Sequence, residues 1–416
     1  MRLLIENISL LTGIDRLGRQ RLSGTEMSSA ESIEDAYLMA ENGVIVSFGA
    51  MSELADRRAD EVIDARGRIV MPAFCDSHSH IVYASSREGE FRDKIAGLSY
   101  EEVARRGGGI LNSADILHRT SEDELFRQAL PRAWRMIRSG AGTIEVKSGY
   151  GLSTADELKM LRVVRRLHDE LPITVKATFL GAHAVARDYA GRQDEYVDSV
   201  CREMIPAVAT EGLAEFVDVF CDKGFFTPEQ TARILESGLR HGLRPKIHAN
   251  ELASSGGVQV GVRYGALSVD HLEQATDDDI ACLAASRTIP TVLPGASFFS
   301  RLPYAPARRM IDSGLAVAIA SDYNPGSSPS GNLWLLWSLA CIQMRLTPEE
   351  ALAALTVNGA AALDLSADRG SITAGRRADL IVTKPVPSLS FIPYSYGDEF
   401  TERMIINGKP IDLKYE

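Results

Sequence analysis

The stretch EFVDVFCDKGFFTPEQTARILESGLRHGLRPKIHANE, residues 215–251, reads as strand, helix, strand. An apolar run of strand length, EFVDVFCD, gives way to a longer segment with helical spacing, TPEQTARILESGLRHG, and the chain returns to a second short run, RPKIHANE. Thr227, Pro228 and Gln230 supply a capping box with proline at the first helical position, which marks where the helix starts. Two strands joined by a crossover helix predict a parallel pair.

Outward from this unit the same alternation repeats. RIVMPAFC (68–75), GTIEVKSG (142–149), ITVKATFLGA (173–182), LSVDHLE (267–273), TIPTVLPG (288–295) and LAVAIASD (315–322) are each followed by a helical segment, making eight βα units in all. Eight such units predict an α/β fold of the closed (β/α)8 TIM-barrel type. An open doubly wound sheet would require a glycine-rich phosphate turn after its first strand. The nearest glycine cluster, RRGGGI (105–110), has no strand leading into it and reads instead as a flexible loop over the site. Both ends of the chain differ: GVIVSFG (43–49), ADLIVTK (378–384) and RMIINGKPI (403–411) are short alternating strands without crossover helices. Residues 1–66 and 367–416 are therefore expected to form one small composite β-sandwich domain beside a barrel of residues 67–366. TPEEALAALTVNGAAALDL (347–365), with a second capping box at Thr347 and Glu350, is expected to bridge the two.

Composition narrows the functional classes. The chain has 416 residues, 45% hydrophobic and 24% charged, with no apolar run near the ~20 residues of a membrane span. A net charge of −11 disfavours nucleic acid as a partner, while leaving room for a small anionic substrate held by local arginines. The start, MRLLIENISLLTGIDRLG, lacks the apolar core of a signal peptide, and five scattered cysteines suit reduced thiols, so the expected location is cytoplasmic.

Reacting groups of barrel enzymes sit at the C-terminal ends of the strands. His78 and His80 follow strand one, Lys147 and Tyr150 strand two, His183 strand three, His248 and Glu251 strand five, His271 and Glu273 strand six, and Asp322 and Asn324 strand eight. His118, His168 and His241 fall in loop or helical segments. Alternate residues share a face, so His78 and His80 project together, about 6–7 Å apart at Cα, and can share one ion. With His248, His271 and Asp322 at neighbouring strand ends, three neutral nitrogens and a carboxylate suit one divalent metal, Zn2+ or Fe2+, with a position left for water.

MPAFCDSHSH, KIHANE, VDHLE, ASDYNPG and GSITAGRRADLIV resemble the metal-dependent amidohydrolase superfamily, and REGEFRDKIAGLSYEEVARRGGGI, VKSGYGL, FLGAHA and HANEL are similar to its imidazolonepropionase family. The resemblance covers nearly the whole chain. It implies hydrolysis of the cyclic amide bond of 4-imidazolone-5-propanoate to N-formimino-L-glutamate by one metal ion. It further implies His78, His80, His248 and Asp322 as ligands, Arg87, Tyr150, His183 and Glu251 as substrate residues, and Asn324, Gly326 and Ser327 at the product.

The residue types support that chemistry. Asp322 and His271 are candidates to take a proton from water, His271 can also polarise the carbonyl, and Glu251 can return a proton to the leaving nitrogen; His271 and Glu251 both remain candidates for the shuttle. Arg87 can clamp a carboxylate, with Tyr100 and Tyr150 as hydroxyl partners. Lys147, Lys176 and Lys223 raise a carboxylated lysine bridging two metals, but the end of strand four carries Cys221 and Asp222, which favours a single ion. Two other readings compete: an aminohydrolase deaminating a cyclic amidine or nucleobase, which has no need of Arg87, and an inactive barrel scaffold, which would be expected to have lost ligands. A homodimer is the expected assembly.

Overall fold

The computed structural model describes residues 1–98, 102 and 108–414, the side chain of Lys94 excepted. Tyr100, expected at the substrate, lies outside the described residues.

Eight parallel strands follow one another around the barrel in chain order: Phe74–Asp76, Ala141–Lys147, Thr174–Ala182, Phe216–Cys221, a fifth in two pieces (Arg244–Pro245 and Ile247–Ala249), Ser268–His271, Ile289–Val292 and Ala318–Ile319. The ring closes between the loops after the first and last strands, where Asp322 N donates to His78 O at 2.9 Å and His80 N to Tyr323 O at 2.9 Å. The closure therefore aligns the His-x-His segment with Asp322. The helix Pro228–Arg240 starts at the expected capping box, with Thr227 Oγ1 accepting from Gln230 N.

Both chain ends build a second sheet of eight strands. The long first strand Arg2–Ile14, which carried no turn signal to mark it, pairs antiparallel with Glu31–Glu41, and Leu380–Thr383 and Thr401–Ile406 extend the sheet from the C-terminal end. Asn407 and Gly408, both at positive φ, make the tight turn into Lys409–Ile411. The run 68–75 is two strands: Ile69–Pro72 joins the terminal sheet, between Arg2–Ile14 and Leu380–Thr383, and Phe74–Asp76 begins the barrel. A single apolar run conceals this division because both pieces are buried on both faces.

The two units are joined by packing. Trp334, on the helix Leu333–Met344 after the last barrel strand, meets Phe74 at 4.9 Å between centroids and Phe400 at 5.5 Å, and its indole N–H donates to Thr401 Oγ1. The helix Pro348–Leu355 contacts both the first strand of the sheet and barrel strands one and eight, as its bridging position predicts. In the short helix after it, Gly359 presses on the carbonyl of Cys75 so closely that any side chain would collide. Of the glycine run at 105–110, residues 105–107 lie outside the described residues, and Gly108 is the N-cap of a helix, Gly109–His118, where a loop was expected. Among the described residues no helix is long and apolar enough to cross a membrane, and all five cysteines are unpaired.

Candidate active site

A cavity of about 460 Å3 opens at the C-terminal ends of the barrel strands. Of the strand-end and loop residues expected at the site, His80, Arg87, Tyr150, His183, His248, Glu251, His271, Asp322, Asn324, Gly326 and Ser327 border it, whereas His78, Lys147 and Glu273 do not.

The centre of the floor is a knot of imidazoles. His78 Nε2 lies 3.2 Å from His80 Nε2, and His80 Nε2 lies 3.3 Å from His248 Nε2. Asp322 Oδ1 is 3.5 Å from Nε2 of both His78 and His80. Bonds of about 2.0–2.1 Å around a tetrahedral ion put neighbouring donor atoms about 3.3–3.4 Å apart, so these spacings fit one small divalent cation. Burial, and after it the positive charge of Lys147 and the neighbouring histidines, holds His78 well below the usual imidazole range. Burial and the surrounding histidines do the same at His80, so both rings offer lone pairs. A second group, His78, His248 and His271, also brings its ligating atoms within 4.8 Å of one another. His271 differs from the others in its surroundings. Its Nδ1 lies 3.5 Å from Glu273 Oε2 and 3.7 Å from Glu251 Oε2. Burial opposes its charge, but these carboxylates outweigh burial and raise it well above the ordinary value.

The backbone is bent to make this arrangement. Asn250, His271, Leu272 and Asp322 hold φ of 58°, 82°, 68° and 49°, conformations that non-glycine residues keep only where surrounding structure enforces them. Single polar side chains organise the loops. Asp222 accepts from the backbone of Glu251 (2.7 Å), Leu252 (3.0 Å) and Ala253 (3.1 Å), which holds the segment presenting Glu251. Glu157 accepts from Gly149, Gly151 and Leu152, framing Tyr150. Burial pushes the Glu251 carboxyl up to about 7, against the attraction of His271.

The expected substrate residues have distinct settings. Arg87 is nearly buried, and its Nε donates to Glu90 Oε2 at 2.9 Å while Glu90 Oε1 accepts from Gly109 N, so one carboxylate ties the arginine to the start of a helix. Gly326 lies against the Arg87 guanidinium so closely that a Cβ there would displace it. His183 Nδ1 donates to Gly149 O at 3.1 Å, leaving Nε2 as an acceptor, and its ring stacks on His80. Asn324 and Ser327 are engaged with their own loop: Asn324 Oδ1 accepts from Gly326 N and Ser327 N, and Ser327 Oγ donates to Asp322 Oδ2 at 3.2 Å.

The three lysines separate clearly. Lys147 is fully buried against Glu145 and Asp218; Lys176 lies near the start of strand three, where it pairs with Glu215, and not at its catalytic end; Lys223 follows Asp222 and does not border the cavity. Two features escaped the sequence reading. Apolar walls are supplied by Phe91 and Phe299, whose rings stack at 5.2 Å, and by Phe220, Phe225 and Leu302. A layer of buried charge, Glu145, Asp218, Lys246 and Asp270 around Lys147, lies below the histidines. The inward parity of EVK, VDV, PKIH and VDH was the available signal for it.

Residues 69–411 match the amidohydrolase family. The chain is 50% identical to an imidazolonepropionase of Christiangramia forsetii over 411 residues, 99% of this chain and 100% of that one. It is 44% identical to one of Geobacillus thermodenitrificans over 92% of each chain. Among solved structures it is similar in fold to the guanine deaminase of E. coli (TM-score 0.74, 16% identity, 100% of both chains). It is similarly close to the atrazine chlorohydrolase of Arthrobacter aurescens complexed with zinc (TM-score 0.72, 17% identity, 98% and 94%). The structural likenesses bear on the fold alone, whereas the sequence likeness extends end to end: the chain belongs to the amidohydrolase family and, within it, to the imidazolonepropionases.

Proposed function

We infer that the chain hydrolyses the ring amide of 4-imidazolone-5-propanoate to N-formimino-L-glutamate, the step of histidine degradation that opens the imidazolone ring. The observation that carries this is one cavity holding both the histidine–aspartate cluster and the nearly buried Arg87. A guanidinium there suits a substrate with a carboxylate arm, and a neutral nucleobase has no use for it.

His78, His80, His248 and Asp322 would hold one divalent ion, and an imidazole-rich set with one carboxylate suits Zn2+ or Fe2+. When bound, such an ion lowers the pKa of water toward ~7 and polarises a carbonyl oxygen. His271 is assigned outside the ligand set, because the 3.2–3.5 Å contacts that join His78, His80, His248 and Asp322 do not include it, and two carboxylates, Glu251 and Glu273, suit it to donate to the amide oxygen. Asp322, steadied through Oδ2 by Ser327, accepts the proton of the attacking water. Glu251, held by Asp222, returns a proton to the leaving ring nitrogen. Arg87 clamps the propanoate, His183 Nε2 accepts from a ring N–H, and Tyr150 borders the ring; the stacked Phe91 and Phe299 keep that side of the cavity apolar.

The test is substrate choice. Purified protein supplied with divalent metal should convert 4-imidazolone-5-propanoate to formiminoglutamate and release no ammonia from guanine. Ammonia release from a neutral cyclic amidine, with the imidazolone untouched, would establish the deaminase reading instead.

A further inference from the structure

Five charged side chains meet inside the barrel beneath the histidines, and none of them borders the substrate cavity. Lys147 Nζ lies 2.7 Å from Glu145 Oε1, 2.8 Å from Asp218 Oδ2 and 3.7 Å from Asp270 Oδ2, every partner fully buried. Lys246 Nζ holds the other oxygen of Glu145 at 2.6 Å and the carbonyl of Ser77, next to His78, at 2.8 Å. Barrel interiors are ordinarily filled by branched apolar side chains, and burying charge in their place costs more than it returns unless each group is held in good geometry. The arrangement therefore calls for a role.

That role is visible in which oxygens Lys147 grips. Asp270 Oδ2, facing Lys147, is also the atom 2.6 Å from His78 Nδ1. Asp218 Oδ2, likewise bound by Lys147, lies 3.0 Å from His248 Nδ1, while Asp218 Oδ1 accepts from the backbone N–H of His248 at 3.1 Å. A carboxylate bonded to Nδ1, as Asp270 is to His78, keeps the proton there, leaves Nε2 as a lone pair and fixes the plane of the ring, whereas Asp218 holds His248 by its backbone N–H and lies beside Nδ1. One ammonium thus hydrogen-bonds the carboxylate beside His248 and faces, at 3.7 Å, the carboxylate bonded to His78, on two different strands. Within this layer two lysines face three carboxylates, so one formal negative charge is left beneath the histidines.

We propose that Lys147 is a positioning residue of the metal centre, setting His78 and His248 as a pair through Asp270 and Asp218, although it lies outside the ligand shell and the substrate cavity. The proposal rests on the reading of the histidine cluster as a metal site. It is tested with Lys147→Met, stripped of metal and then titrated with Zn2+ against a chromophoric chelator, alongside the visible spectrum of the Co2+-loaded protein and a thermal melt. The expected result is Zn2+ affinity about 10- to 100-fold weaker than wild type, with an altered cobalt spectrum. Wild-type affinity and spectrum, whatever the melting temperature, would overturn the proposal and leave the lysine a neutraliser of core charge. If Lys147→Met does not fold, Asp270→Asn carries the test: its amide keeps the shape and an acceptor but loses the charge, weaker Zn2+ binding is again expected, and unchanged binding overturns the proposal. Should the wild-type chain itself take up no divalent ion, the metal-centre reading fails and the proposal falls with it; uptake by wild type and variant alike defeats the proposal alone.

Discussion

Lys147 and Arg16 each hold a carboxylate at nearly the same range, 2.7 Å to Glu145 and 2.8 Å to Glu31, yet the first pair is sealed inside the barrel and the second is about half exposed at the edge of the terminal sheet. At the sheet, both partners keep most of their hydration whether paired or not, so the pair is worth about 0–1 kcal/mol. In the barrel both partners are sealed from solvent, and removing one strands the other at a cost of about 3–5 kcal/mol. Equal geometry therefore does not mean equal consequence. The terminal sheet uses charge to decorate its surface and the barrel uses it to hold two histidines, and substitutions in the two regions should separate sharply.

The largest effect is expected at the floor of the cavity. His248→Asn should be purified without metal and show no turnover, which metal analysis and the hydrolysis assay check together. His271→Asn should retain the ion and lose kcat by about 10²–10⁴; a variant isolated metal-free and reactivated by excess metal would place His271 in the ligand set instead. Higher in the cavity, Arg87→Met should leave metal content unaltered and lower kcat/KM by about 30- to 900-fold, equivalent to about 2–4 kcal/mol. An unchanged kcat/KM would mean that the propanoate is held elsewhere. The smallest effect is expected at the terminal sheet, where Arg16→Ala should change stability by no more than about 1 kcal/mol in denaturant unfolding and leave kcat/KM at the wild-type value. A loss of several kcal/mol there would erase the distinction between the two regions.

Much of this was legible from local pattern. The βα alternation and the histidines at strand ends could be read because a strand's period is two and a barrel assigns its C-terminal end to chemistry. The split at Ala73 could not, since Ile69–Pro72 and Phe74–Asp76 are equally apolar and only their pairing partners, hundreds of residues away for Leu380–Thr383, tell them apart. Lys147 was noticed for the wrong reason: its position suggested a bridging ligand, whereas Glu145 and Asp218 claim its ammonium. The contact between Phe91 and Phe299 left no local trace, because one belongs to the helix Glu88–Ile95 after strand one and the other to the helix after strand seven.

The central claim, a single-ion hydrolytic centre at His78, His80, His248 and Asp322, is tested most directly by stripping the protein with a chelator and titrating Zn2+ or Fe2+ back while following hydrolysis of 4-imidazolone-5-propanoate. The account predicts activity absent at the start, rising linearly and reaching its plateau at one ion per chain. Full activity in the stripped protein, or a plateau at two ions, would contradict it.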